Sequence, residues 1–405
     1  MKRKLWSLLM SAVFAVILCC NVTNGSMAVY AEEEEAFDGE EGNGEPIVVD
    51  EADRQAPQLD GLKYEKKMNF TYVECIGIYY YEGGYKFFDV YDSGQYLLIP
   101  EGGEIPSNLD KKVTVIQAPA QNIYMAATAT MALVNAIGGL DCVGFSSLKA
   151  SDWYVQDAQD AMNAGDIVFA GKYSEPDYEL LLSGGCDLAV ESTMILHTPK
   201  VQEMIENMGI PVFIDRSSYE SHPLARSEWA KVYGALLNRE EEAEHFFAQQ
   251  NQVMEDLEDF ENTGKTVAFF SVNSDGSVVV RRQEDSVPKM IELAGGRYVL
   301  NGVSVIQESK RSSVTMTMEE FYADAIDADY LVYNSTIQAP IGSINDLLAK
   351  SPLFGDFKAV KEGNVWCADK YLYQATDIVG QLIRDFNHML TDGDASQMTF
   401  LKKID

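Results

Sequence analysis

Histidine is scarce in this chain. There are four in 405 residues, with no HxH or HxxxH pair. A bare zinc or manganese centre needs clustered His and carboxylates, so that class of site is disfavoured. Positive charge is also short. Thirty-one Lys and Arg stand against 63 Asp and Glu, a formal net charge of -32, and nucleic-acid binding, which needs a basic footprint, is not expected. Cysteine is sparse and scattered, with no CxxC. Cys75, Cys142, Cys186 and Cys367 read as buried thiols acting as small hydrophobes, with a disulfide as the alternative that export would permit. There is no GxSxG, HExxH or Walker loop. Ser217-Ser218 lies near His222 in sequence, which is not a triad, so no enzyme and no cofactor is expected. Beyond the N terminus no apolar run reaches the ~18 residues of a membrane span.

Hydrophobic residues are plentiful at 46%, enough for large cores in two or three domains. The start, MKRKLWSLLMSAVFAVILCC, has the basic and apolar regions of a secretory signal peptide, assigned to residues 1–31 with cleavage after Val29-Tyr30-Ala31. Lipidation at Cys19 or Cys20 competes, although Leu18 or Cys19 is a poor residue before a lipidated Cys. The chain is therefore expected outside the cytoplasm, secreted or tethered to the outer face of a bacterial cell membrane. Residues 32–62 are rich in Glu, Asp, Gly and Pro and are expected to be a disordered acidic linker. Residues 63–111 contain FTYVECIGIYYYEGGYKFFDVYDSGQYLLIP, which reads as two hairpin-linked strands and a third.

From Lys112 the pattern changes to short apolar strands alternating with helices, which predicts a parallel sheet covered on both faces. KVTVIQAP reads as the first strand and IYMAATATMALVNAIGG as the first helix, ended by Gly138-Gly139. The alternation fills residues 112–222 and resumes over 263–405. Between them, apolar residues from Trp229 to Phe260 recur at helical spacing. One helix of about thirty-five residues within 223–262 would span roughly 50 Å. The expected architecture is α/β: two Rossmann-like lobes joined by one long helix, with an extra N-terminal β segment.

Three stretches carry a resemblance: AGKYSEPDYELLLSGGCDLAVES, SYESHPLARSEWAKVYGALLNREEEAE and SPLFGDFKAVKEGNVW. Together they resemble the solute-binding proteins of ABC importers that have a helical backbone between lobes and serve iron–siderophores, haem and vitamin B12. The likeness covers residues 112–390. It implies a monomer that captures a metal chelate, an iron–siderophore first and a corrinoid or haem second, and delivers it to a membrane ABC permease. It also implies that one Glu on each lobe docks onto permease Arg residues; by motif position these are Glu179 and Glu319. A secreted α/β hydrolase or a surface interaction protein is the rival reading.

Ligands of open α/β sheets bind outside the carboxyl ends of the strands. Basic residues in the loops assigned there are Lys172, Arg216, Arg281, Arg282, Lys310 and Arg311, and guanidinium groups suit anionic oxygens. Flat rings recur in the same loops: Tyr124, Trp153, Tyr154, Tyr173, Tyr219, Tyr371 and Tyr373. They suit a broad aromatic or macrocyclic ligand, and equally serve as core filler. His197 is a weaker candidate for coordinating an incoming metal or haem.

Overall fold

The computed structural model describes residues 55–300, 313–336 and 338–405. The signal peptide and most of the acidic linker lie outside them. The N-terminal strands β1 (Tyr64–Lys67), β2 (Ile76–Tyr81), β3 (Tyr85–Val90), β4 (Gly94–Ile99) and β5 (Thr114–Gln117) form one sheet in that order. The first three pairings are antiparallel and β4–β5 is parallel. Period-two alternation gives this sheet two apolar faces. Ile76, Ile78, Phe88, Tyr96, Leu98 and Ile116 enter the core of the first lobe. Tyr79, Tyr81, Phe87, Leu97 and Ile99 form a second cluster closed by Leu59.

Two expectations change here. KVTVIQAP was expected to open the first lobe, but its strand, β5, completes the N-terminal sheet. Residues 56–62 were expected to belong to a loose linker, yet Leu59 is buried and the Tyr81 hydroxyl donates to the Pro57 carbonyl at 2.6 Å. The exposed apolar face of the sheet needs a cover, and these residues supply it.

The first lobe contains β6 (Ile123–Met125), α1 (Thr128–Ala136), β7 (Val143–Ser146), α2 (Gln156–Ala164), β8 (Val168–Phe169), the small hairpin β9 (Gly171–Lys172) and β10 (Glu175–Pro176), α3 (Tyr178–Ser183), β11 (Leu188–Ser192), α4 (Pro199–Asn207) and β12 (Val212–Asp215). Its sheet runs β12-β11-β6-β7-β8, all parallel as expected. The reading of IYMAATATMALVNAIGG as one helix is corrected: Ile123–Met125 is a central strand, and the helix begins only at Thr128. All three strand residues are buried, a demand that tertiary context places on them over local helical pattern.

The connecting rod is the largest correction. Residues 223–262 form three helices, α5 (Pro223–Glu228), α6 (Ala230–Leu237) and α7 (Glu240–Asp256). Asn238 takes a left-handed conformation, φ 56°, which ends α6. The chain then folds back, so that α6 and α7 form an antiparallel hairpin. Lys231 pairs with Glu244 at 3.0 Å and sits over the Phe247 ring. Gly234 permits this closeness, because a Cβ there would lie 2.7 Å from that of Ala243. Farther along, α7 enters the second lobe, where Phe247 and Val253 join its core.

The second lobe contains β13 (Thr266–Val272), β14 (Val278–Arg281), α8 (Ser286–Leu293), β15 (Arg297–Tyr298), β16 (Ser313–Met316), α9 (Met318–Ala325), β17 (Tyr330–Tyr333), α10 (Ile344–Lys350), α11 (Lys358–Glu362), β18 (Val365–Ala368), α12 (Val379–Leu390) and β19 (Leu401–Lys403). Its sheet is mixed. β13, β17 and β18 are parallel, while β14 pairs antiparallel with β13, β16 antiparallel with β14, and β19 antiparallel with β18. Among the described residues, no helix is long and apolar enough to cross a membrane, and Cys75, Cys142, Cys186 and Cys367 are buried free thiols.

Candidate functional site

The carboxyl ends of the first lobe's strands turn toward the second lobe. Gln374, fully buried, bridges the two: its Oε1 accepts from the Tyr154 amide at 2.7 Å and its Nε2 donates to the Asp152 carbonyl at 2.9 Å. Thr376 donates to the Ala129 carbonyl at 2.6 Å. The ring of Tyr371 packs against the first lobe's core and lies near-parallel to Phe400. Its hydroxyl donates to Asp377 at 2.9 Å, and burial pushes the Asp377 carboxyl up to about 6. Tyr371 thus lies where the lobes meet, spent on their contact.

Along the same edge, the first lobe exposes unusual side chains. Phe169, at the end of β8, is 36% exposed and Leu196, after β11, is 47% exposed. Lys149 lies over the Phe169 ring at 5.8 Å. Lys172 and His197 are exposed and Tyr173 is half-buried. An edge with exposed apolar groups beside cations can hold a bulky, partly apolar anion. Phe169 and Leu196 were not legible as site residues, because apolar residues at strand ends look like core.

Other expected contacts are placed elsewhere. Tyr124 is fully buried, its hydroxyl donating to the Gly171 carbonyl at 2.9 Å. Trp153 is buried with its Nε1 on the Ser146 hydroxyl at 3.0 Å. Both rings are packing, not cleft lining. Arg216 is buried as well; its guanidinium stacks on Tyr219 and donates to the Ser93 hydroxyl at 3.2 Å, which ties it to the N-terminal sheet. Arg281 and Arg282 were assigned to a loop at the carboxyl edge, but Arg281 ends β14. That strand runs antiparallel to β13, pairing Val278 with Val272 and Phe270 with Val280. Its last residues are carried toward the amino end of the lobe's parallel strands. Arg311 and the side chain of Tyr373 lie outside the described residues. Glu179 and Glu319 are both exposed in the first turns of α3 and α9; neighbouring Glu320 is engaged in a capping box with Thr317.

One buried group at this edge has no partner. Glu191, in β11, is fully enclosed and neither carboxyl oxygen has a hydrogen-bond partner. Desolvation holds its carboxyl well above the ordinary value of 4.5. Its raised folded value means it favours the folded state below 4.5 and loses that contribution as pH rises through the folded value. Glu191→Gln is therefore expected to flatten part of the pH dependence, losing less stability than the parent as pH rises. Urea melts of both proteins across the range check this; parallel curves would refute it. No group of three or more His, Cys, Asp or Glu that could hold a metal ion occurs among the described residues.

Two α/β lobes meeting across the carboxyl ends of their strands, with connecting helices between, define a two-lobed binding protein. The chain belongs to the periplasmic binding protein family, whose profile matches residues 123–372. It is 26% identical over 335 residues to an uncharacterized lipoprotein of Methanocaldococcus jannaschii, covering 76% of this chain and 77% of that protein. In fold it is similar to a periplasmic haem-binding protein of Pseudomonas aeruginosa, with a TM-score of 0.56 and 15% identity over 70% of this chain and 98% of that one. The triscatecholate siderophore-binding protein FeuA of Bacillus subtilis, bound to ferri-bacillibactin, aligns with a TM-score of 0.52 and 14% identity, over 69% and 95% of the two chains.

Proposed function

We propose that this protein is the extracytoplasmic receptor of an ABC importer and captures a ferric chelate between its lobes, an iron–siderophore complex first. The observation that carries this is the edge holding Phe169, Leu196, Lys149 and Lys172: apolar surface and positive charge exposed together in a family of binding proteins. It suits a broad, anionic, partly apolar chelate better than a bare ion or a small polar solute. Of the contacts expected from sequence, Lys172, Tyr173 and Tyr219 stay in the proposed set. Fold likeness to haem- and siderophore-binding proteins supports the class of ligand, and haem or a corrinoid is the second reading. The lipoprotein relative supports tethering to the outer face of the membrane. Binding without chemical conversion is proposed, with no cofactor of the protein's own and with the protein acting as a monomer.

Titration with ferric catecholates, ferric hydroxamates, haemin and corrinoids, read by thermal shift and visible absorption, tests the assignment. A melting shift with a ferric chelate supports it; shifts confined to corrinoids or haemin favour the second reading, and no shift with any of them retires it. We further propose that Glu179 and Glu319 dock onto the permease. Glu179→Ala is expected to abolish uptake of the chelate in cells while leaving affinity unchanged, and normal uptake would end that role.

A further inference from the structure

The folded-back α6–α7 hairpin is not a spacer rod, and a second element spans the two lobes beside it. The irregular segment 68–75, between β1 and β2, crosses their junction. Met68, Phe70 and Val73 pack against the core of the first lobe, whereas Tyr72 packs against the core of the second. Five consecutive backbone amides in this segment are held by two buried carboxylates of the connecting region. Glu228, fully buried in α5, accepts from Thr71 and Tyr72 at 2.7 Å each and from Val73 at 3.1 Å. Glu220 accepts from Glu74 at 2.8 Å, from Cys75 at 3.1 Å and from the Trp229 Nε1 at 2.7 Å. Lys231 lies 3.3 Å from Glu228 and offsets its buried charge.

The Tyr72 side chain adds three contacts to this hold. Its ring stacks on His222 at 3.9 Å and 7°, meets Phe247 edge-on, and its hydroxyl donates to Asn251 of α7 at 2.9 Å. The same connecting region holds the second lobe. Ser227 of α5 donates to the Thr376 carbonyl at 2.5 Å, and Lys289 of α8 donates to the Ser221 carbonyl at 2.8 Å.

We infer that residues 68–75 form a staple between the lobes, so that the N-terminal sheet fixes the cleft in a preformed geometry. Charge-assisted bonds to buried carboxylates are among the stronger hydrogen bonds, and here they anchor a segment that touches both cores. The inference stands on this geometry and is independent of which ligand binds.

Hydrogen exchange on the full chain tests it, with the Tyr154 amide as reporter because its bond to Gln374 crosses the lobes. Tyr72→Ala is expected to speed exchange at Tyr154 roughly tenfold, together with the amides of residues 71–73. Glu228→Gln should act in the same direction, and Tyr72→Phe, which loses only the bond to Asn251, should act more weakly. If residues 71–73 open in Tyr72→Ala while Tyr154 keeps its protection, the segment is a local clamp and the inference is overturned. Should Glu228→Gln not fold, the two Tyr72 variants still decide the matter.

Discussion

Asp215→Ala is expected to cost about 3–5 kcal/mol of folding stability, because it strips the acceptor from a buried set of donors. Asp215 ends β12 and is almost wholly buried. Its Oδ2 accepts from the Thr130 hydroxyl of α1 at 3.0 Å and from the Tyr233 hydroxyl of α6 in a short bond. Its Oδ1 accepts from the Ser217 amide at 2.8 Å and the Ser217 hydroxyl at 2.5 Å. One carboxylate thus ties a strand end to two helices and to the loop that enters the connecting region. Asp215→Asn keeps one acceptor oxygen but turns an NH2 toward hydroxyls that can themselves accept, so its cost should be intermediate. Urea unfolding of the three proteins measures this. A loss below about 1 kcal/mol for Asp215→Ala would show that water or rearranged hydroxyls replace the carboxylate.

Gly380→Ala should destabilise the fold by about 3 kcal/mol, although helix propensity alone would favour Ala by up to ~1 kcal/mol. Gly380 lies in α12 where it meets α7. A Cβ there would sit 2.2 Å from the Gln250 carbonyl oxygen and 2.9 Å from its carbon, both backbone atoms that cannot swing aside. The Gly380 amide also donates to the Gln250 side chain at 3.0 Å. Relieving the clash requires the helices to part. Phe247, Val253, Ile383 and Phe386 share the second lobe's core around this contact and would lose packing with it. The opposing signs make the test clear: a melting temperature that stays level or rises in Gly380→Ala would mean that α7 relaxes away at little cost.

The alternation of apolar strands and helices was readable where each element is amphipathic or ends on a clear breaker. Pro352 is such a breaker: α10 stops at Lys350 and α11 starts at Lys358. The connecting segment shows why periodicity can mislead. α6 and α7 each carry helical spacing, and the pattern continues through Asn238 and Arg239 as though unbroken. Asn238 with Glu240, Glu241 and Glu242 behind it is a stop followed by a fresh acidic first turn, so the break was written there and outweighed by the run of apolar residues. The candidate site was less legible. Arg281 belongs to an antiparallel strand, and strand direction is not encoded in VVVR itself. Buried Tyr124 and exposed Phe169 cannot be told apart by residue type, since which face is covered depends on elements distant in sequence.

The sequence by itself determined the α/β class, the paired lobes and the family, because hydrophobic period and breakers act over a few residues and survive any arrangement of the elements. Only the tertiary structure decided that the connection folds back, that β5 joins the N-terminal sheet, and that residues 68–75 reach both cores. The last of these rests on contacts between residues some 150 apart, such as Tyr72 with Glu228. A buried carboxylate and the amides it holds leave no local pattern in the chain; they become partners only when the packed interior excludes water from both.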